Sequence, residues 1–272
     1  MRVARLWLDR GLPVAALARS DEKCRQLSAL GIKAVGGDLD APASLAALPL
    51  SKTVVYYFAP PSDTGPGDAR MLAFARHSPL PERVIYISTS GVYGDREGGW
   101  VDEETPPKPG NERSQRRLDA ELALRAWGRE NKVPVVVLRV AGIYGPGRWP
   151  LARLRKGAPV LRLEECGFTN RIHADDLAAI AVAAAERGGA DRVYNVCDGS
   201  PDTMTEYFYA VADHFGLPRP PALTLTDARR QLSPAMLSFF TESRRMGNRR
   251  LLQELDVKLQ YPNLAAGLAA AP

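Results

Sequence analysis

The sequence predicts an α/β protein: a doubly wound parallel sheet with helices on both faces, followed by a small C-terminal lobe. Apolar runs of strand length alternate with amphipathic helical stretches up to about residue 198, and strict alternation of that kind implies parallel strands joined by helical crossovers. Past Gly199 the alternation stops. The 272 residues, 45% of them hydrophobic, suffice to fill such a core. The expected division is a sheet domain of residues 1–198 and a lobe of residues 199–272.

The chain opens in a helical stretch, "MRVARLWLDRG", stopped by Gly11. "PVAALARS" is a β-rich run, "DEKCRQLSALG" a helix with an acidic start and a glycine stop, and "IKAVGGDL" the next strand. "KTVVYYFAP", "RVIYISTS", "VPVVVLRV" and "RVYNVCD" continue the series, with helices between most of them. The tail holds a helix "TEYFYAVADHFG", a proline-rich link "LPRPPAL" and a helix near "NRRLLQEL", with no clear sheet strand and no internal repeat anywhere.

The start is unusual for a doubly wound fold. Where such folds bind dinucleotides, a strand and a GxGxxG loop precede the first helix, whose N-terminus holds the pyrophosphate. Here neither precedes it. The missing strand belongs at the centre of the sheet, between the runs at residues 13–18 and 52–58. Its loss removes two ladders, which a net stability of roughly 5–15 kcal/mol absorbs poorly, so the expectation is a gene product that starts upstream or a truncated form.

Composition excludes several classes. The net charge is +5 and the pI about 9.2, but basic and acidic residues are interleaved, so there is no dense stripe for nucleic acid; the excess is weak evidence for an anionic ligand. Cys24, Cys166 and Cys197 are far apart, odd in number and without CxxC spacing, which speaks against a disulfide framework and a zinc site and fits a reducing cytoplasm. The longest apolar stretch, from Leu177, is too short to span a bilayer, and no signal-peptide pattern opens the chain.

The strings "ALARS", "GGDLD", "YISTSGVYGD", "LRVAGIYGPGR", "NRIHADDLA", "YNVCDGSP" and "NRRLLQELDVKLQYP", in this order and spacing, resemble the extended or atypical short-chain dehydrogenase/reductase family, in its NAD-dependent epimerase/dehydratase, nucleoside-diphosphate-sugar epimerase-like branch. The resemblance covers nearly the whole chain. It implies a Rossmann-like fold, NAD(P) as cofactor, a sugar-nucleotide or small hydroxy or keto substrate, and a homodimer formed through a helix pair.

Residue roles come by position. In such proteins a basic residue after the second strand accepts the 2′-phosphate of NADP, and Arg19 with Ser20 stands there; otherwise Arg19 is an ordinary solvated arginine. Asp38 and Leu39 match the positions flanking the adenine, unless Asp38 only caps the next helix. Phe58, Ala59 and Pro60 fall where the backbone passes the nicotinamide ribose, or are plain core and turn. Thr89, four residues before Tyr93, matches the catalytic hydroxyl, although a hydroxyl there also satisfies loop backbone.

The stretch "NERSQRRLDAE" falls where the resemblance implies YxxxK, with Arg113 at the tyrosine and Arg117 at the lysine. Arginine keeps its proton near neutral pH, so Arg113 does not inherit the acid/base role, while Arg117 retains donors for ribose hydroxyls. The other reading is an exposed helix face of Arg and Glu pairs. Tyr93, Tyr144 and His173 are the remaining candidates near the substrate, the tyrosines with architectural roles in the family and the histidine as a packing or positioning group. Arg148, and second to it Arg171, is a candidate for a substrate diphosphate or a surface ion-pair partner. Three readings stay open: an NAD(P)-dependent enzyme, a non-catalytic NADP-binding sensor or scaffold, and the product of a mis-called start that binds nothing because the glycine loop is absent.

Overall fold

The computed structural model describes residues 1–62 and 67–271. The six apolar runs become β1 (Ala15–Ala18), β2 (Lys33–Gly36), β3 (Val54–Tyr57), β4 (Arg83–Thr89), β5 (Val135–Val140) and β6 (Arg192–Val196). The principal helices are α1 (Arg2–Leu8), α2 (Asp21–Ser28), α3 (Ala69–His77), α4 (Glu112–Asn131), α5 (Ala174–Arg187) and α6 (Met204–His214). Each helix starts for a local reason where a polar side chain is available. The Ser20 hydroxyl accepts the Lys23 N–H at α2, Asp68 the Met71 N–H at α3, and Asn111 the Ser114 N–H at α4.

All strand pairs among these six are parallel, in two sheets. One is β1–β2; the other runs β6–β5–β4–β3. Among the described residues β1 pairs only with β2 and β3 only with β4, so the sheet is interrupted between β1 and β3. Every residue of β5 is buried, as expected of a parallel strand covered on both faces. The alanine-rich stripe of α5 packs Ile180, Ala181 and Ala184 on Val136, Leu138 and Tyr194.

Helix α1 spans the break. Val3 and Trp7 pack on the core of the larger sheet, and the Trp7 indole donates to the Tyr56 hydroxyl at 2.8 Å. On its other side Ala4 and Leu8 pack with Ala18, Leu27 and Ile32 of the smaller sheet. Arg2 is tied to Asp175, and Arg10 bonds Glu186 at 2.6 Å.

The tail differs from its prediction in one respect. Three two-residue strands lie there, Asp202–Thr203, Ala222–Leu223 and Arg245–Met246. They pair with Phe168–Thr169, Val160–Leu161 and Trp100–Val101 respectively. Two residues carry no period to read, and their partners are remote in sequence. A separate apolar cluster joins Leu154, Val160 and Leu161 to Phe208, Val211 and Phe240, so this packing draws on both sides of residue 198. The helix Arg249–Glu254 returns Leu251 and Leu255 to the core of the larger sheet.

Candidate active site

Two sets of groups stand at the carboxyl ends of the parallel strands, one on each side of the break. The first is a cleft of about 300 Å³ at the ends of β1 and β2, lined by Arg19, Ser20, Cys24, Gly37, Asp38 and Ser44 among others. The Arg19 guanidinium is exposed and lies 3.9 Å from the Asp38 carboxylate and 3.8 Å from that of Asp40. Asp40 is already held by Arg70 through two bonds of 2.7 Å, which keep its carboxyl below the usual range. Asp38 organises the loop beneath, accepting the Asp40 N–H at 2.9 Å, while its own N–H donates to Ser44 at 2.9 Å. Leu39 packs into the core behind the cleft. Ser20 spends its hydroxyl on the α2 cap.

The second set lies at the ends of β3 and β4. Thr89 closes β4 and caps the short turn Ser90–Tyr93, its Oγ1 accepting the Gly91 N–H at 3.1 Å. Arg117 reaches up from α4 between the two strands. Its Nη1 donates to the carbonyls of Ile87 at 2.9 Å and Ala59 at 3.3 Å and to the Tyr86 hydroxyl at 3.2 Å. A guanidinium carries five N–H donors, so Nε–H and Nη2–H remain for a ligand. The segment Phe58–Ala59–Pro60 is thus brought to Arg117, with Phe58 and Pro60 exposed. The first turn of α4 packs on the Thr89 turn: Ser114 Oγ would stand 2.5 Å, and Thr89 Oγ1 3.4 Å, from a Cβ on Gly91. Arg113, one turn before Arg117, lies exposed over the ring of Phe239 at 5.3 Å.

The other candidates are turned into the protein. Tyr93 is fully buried, its hydroxyl donating to Asn195 at 2.7 Å and accepting from Arg139 at 3.0 Å, and burial pushes its pKa up to about 12. Tyr144 is buried against Trp149 and donates to the Asn263 carbonyl at 3.1 Å. His173 packs on Tyr261 with ring centroids 3.8 Å apart, caps α5 by accepting the Asp175 N–H, and is held below its ordinary pKa by burial. Gly145 lies against its Nε2, where a Cβ would stand at 2.5 Å. Arg171 is buried in an ion pair with Asp202 at 2.9 Å and stacks 4.0 Å over Tyr207, so it is spent on the interior. Arg148 is exposed on its turn.

Sequence reasoning missed the group that fixes this arrangement. Arg139 of β5 and Glu121 of α4 form a buried pair at 2.8 Å, with Ser88 of β4 donating to the same carboxylate. Glu121 is 1% exposed and Arg139 4%. The available signal was a charge inside an otherwise apolar strand, the Arg of "VVVLRV", because such a charge needs a partner.

A parallel sheet with polar groups gathered at its carboxyl ends defines the class of nucleotide-binding α/β proteins. The pattern of the NAD dependent epimerase/dehydratase family matches residues 2–197, and the chain belongs to that family. Human dTDP-D-glucose 4,6-dehydratase is 27% identical over 134 residues, covering 46% of this chain and only 38% of that enzyme. A functionally unknown conserved protein from Silicibacter pomeroyi superposes with a TM-score of 0.81 at 33% identity, covering 98% of this chain and 92% of that one. MoeE5, solved with UDP-glucose and NAD and also with UDP-glucuronic acid and NAD, shares the fold; for the UDP-glucose complex the TM-score is 0.73 at 21% identity, covering 98% and 91%.

Proposed function

We propose that this chain is an NAD(P)-binding oxidoreductase of the epimerase/dehydratase type, acting on a hydroxyl or keto group of a sugar nucleotide or a small related substrate. The observation that carries the reading is the convergence of the Arg19 cleft and the Thr89–Arg117 pair on the carboxyl ends of β1 to β4. The residues present fit the two ends of a dinucleotide. Arg19, Ser20, Asp38 and Leu39 would hold the adenosine end, and Arg117, with Phe58, Ala59 and Pro60, the nicotinamide ribose. When bound, the cofactor supplies hydride transfer; the protein supplies placement and a path for the proton.

In this reading Thr89 bonds the reacting oxygen of the substrate, and Arg117 orients the ribose through its remaining donors. Neither arginine exchanges a proton near neutrality. Tyr93 and His173 are engaged in the interior, so the acid/base is a group on the substrate, a water or a residue not yet assigned. We propose Arg148 for the diphosphate of a sugar nucleotide, and the C-terminal lobe as the wall against which the substrate rests. Self-association would use α3 and α4, whose outer faces expose Leu72 and Leu122.

Among the described residues no helix is long and apolar enough to cross a membrane. We place the chain in a reducing compartment such as the cytoplasm, because Cys24, Cys166 and Cys197 are odd in number and widely spaced. NADP is proposed over NAD because Arg19 is the exposed cation of the adenosine cleft. NADPH and NADH binding, followed by fluorescence and by melting temperature, tests this. A ligand at one hundred times its dissociation constant stabilises by about 2.7 kcal/mol. Arg19→Glu is expected to weaken NADPH by about tenfold or more, the worth of one charge-assisted contact, and to leave NADH nearly unchanged. Equal losses for both would remove Arg19 as the reader of the 2′-phosphate; no shift with either dinucleotide would end the cofactor reading and the sensor alternative together.

A further inference from the structure

We infer that Arg113 is a receptor for an anionic group, carboxylate or phosphate, carried by the substrate at its reacting end. This rests on the oxidoreductase reading for the location of the reacting end and adds the chemical class of what binds there. Among the described residues no hydrogen bond or ion pair holds the Arg113 guanidinium, which lies over the face of Phe239 at 5.3 Å. A cation–π contact of this kind holds the guanidinium over the ring without consuming its N–H donors. The platform is firm. Phe239 is 39% exposed, but its neighbour Phe240 is fully buried in the C-terminal cluster and anchors the helix Pro234–Thr241.

The surroundings leave this cation uncompensated. Glu112 is paired with Arg116 at 3.4 Å. Glu242 is paired with Arg244 at 3.0 Å and also accepts from Asn111 at 3.2 Å. No carboxylate among the described residues forms an ion pair with Arg113 within 4 Å. Residues four apart share a helix face, so Arg113 lies one turn above Arg117, and Ser114 beside it packs on the Thr89 turn. In the proposed reading Arg113, on the face of α4 that carries Arg117, stands toward Phe239 of the C-terminal packing. Arginine at this position cannot serve as an acid, and its bidentate geometry suits planar oxyanions.

The test is titration calorimetry of the full chain with UDP-glucuronate and UDP-glucose, which differ in one carboxylate, repeated on Arg113→Gln and Arg113→Lys, with NADPH binding read in the same samples. The unaltered chain is expected to prefer UDP-glucuronate by about tenfold, the scale of one charged hydrogen-bonded contact. Arg113→Gln should erase that preference by losing affinity for UDP-glucuronate alone, and Arg113→Lys should keep part of it. Melting curves should coincide, since the side chain is exposed. Equal affinities in the unaltered chain, a preference that survives Arg113→Gln, or binding of neither ligand overturns the inference. A carboxylate preference without NADPH binding sustains it and removes the cofactor reading instead; NADPH binding without the preference does the reverse.

Discussion

At the residue scale, the two arginines one turn apart on α4 are not equivalent. Arg117 is locked by carbonyls of β4 and of the segment after β3, whereas Arg113 is held only by a ring. In the proposed reaction the group at the substrate is Thr89, whose hydroxyl already accepts the Gly91 N–H and retains its proton to donate. Thr89→Val should lower any turnover of a UDP-sugar with NADPH or NADP by at least about 100-fold while leaving NADPH affinity within about twofold, a pattern that marks an interaction made with the reacting atoms. Loss of the turn cap costs about 0.5–2 kcal/mol, so melting temperature is measured alongside, and Thr89→Ser, which restores both roles, should recover most of the rate. Turnover unchanged in the valine variant would take Thr89 out of the mechanism. The cleft residues were named from the family resemblance, by their position at the ends of β1 and β2, and the structure places them around one cleft. The interior engagement of Tyr93, Tyr144 and Arg171 was not, because their partners Asn195, Asn263 and Asp202 lie 102, 119 and 31 residues away.

At the element scale, α4 is the part that must be placed correctly, since it carries both arginines. It is fastened to β4 by Ser88 and to β5 by Arg139, each bonding Glu121. The strands β3 to β6 could be read from β-branched and aromatic runs, whereas β1, with the sequence AALA, and β2 were placed by their alternation with helix stops and starts. The place of the gap between β1 and β3 followed from the strand order of doubly wound folds. The two-residue strands of the tail could not be read, and neither could the Glu121–Arg139 tie, which joins elements whose patterns say nothing about each other. Removing one partner of a buried pair leaves a bare charge in the core and costs about 3–5 kcal/mol, while replacing both with apolar residues is often near neutral. Arg139→Met is therefore expected to destabilise the chain by about that amount in urea denaturation, and Glu121→Leu added to it should recover most of the loss. Additive losses in the double variant would show that the two side chains act separately and that the pair is not what holds α4.

At the scale of the whole molecule, the larger sheet and the C-terminal packing meet at the turn after β6, where Asp198 and Asp202 flank Arg171. Arg171 pairs with Asp202, and Asp198 is left 7% exposed, with one oxygen accepting the Ser200 N–H at 2.9 Å. Burial pushes the Asp198 carboxyl up to about 7, with the Asp202 charge adding to the rise and Arg171 opposing it. An aspartate in the unfolded chain releases its proton near about 4. Between about 4 and 7 the folded chain keeps a proton that the unfolded chain has lost, so this group makes stability fall as pH rises through that window, with the full cost present above it. Asparagine at this position never ionises and still offers an oxygen to Ser200. Asp198→Asn should thus melt several degrees above the unaltered chain at pH 8, a gain that shrinks steadily toward pH 4, where both chains carry a neutral group. Comparison at each pH cancels the carboxylates that act in the opposite sense, such as Asp40 and Asp191, whose pKa values are lowered by arginine partners. A difference in melting temperature that does not change with pH, or a variant less stable at pH 8, would mean that Asp198 is ionised in the fold and that Arg171 compensates both carboxylates at this junction.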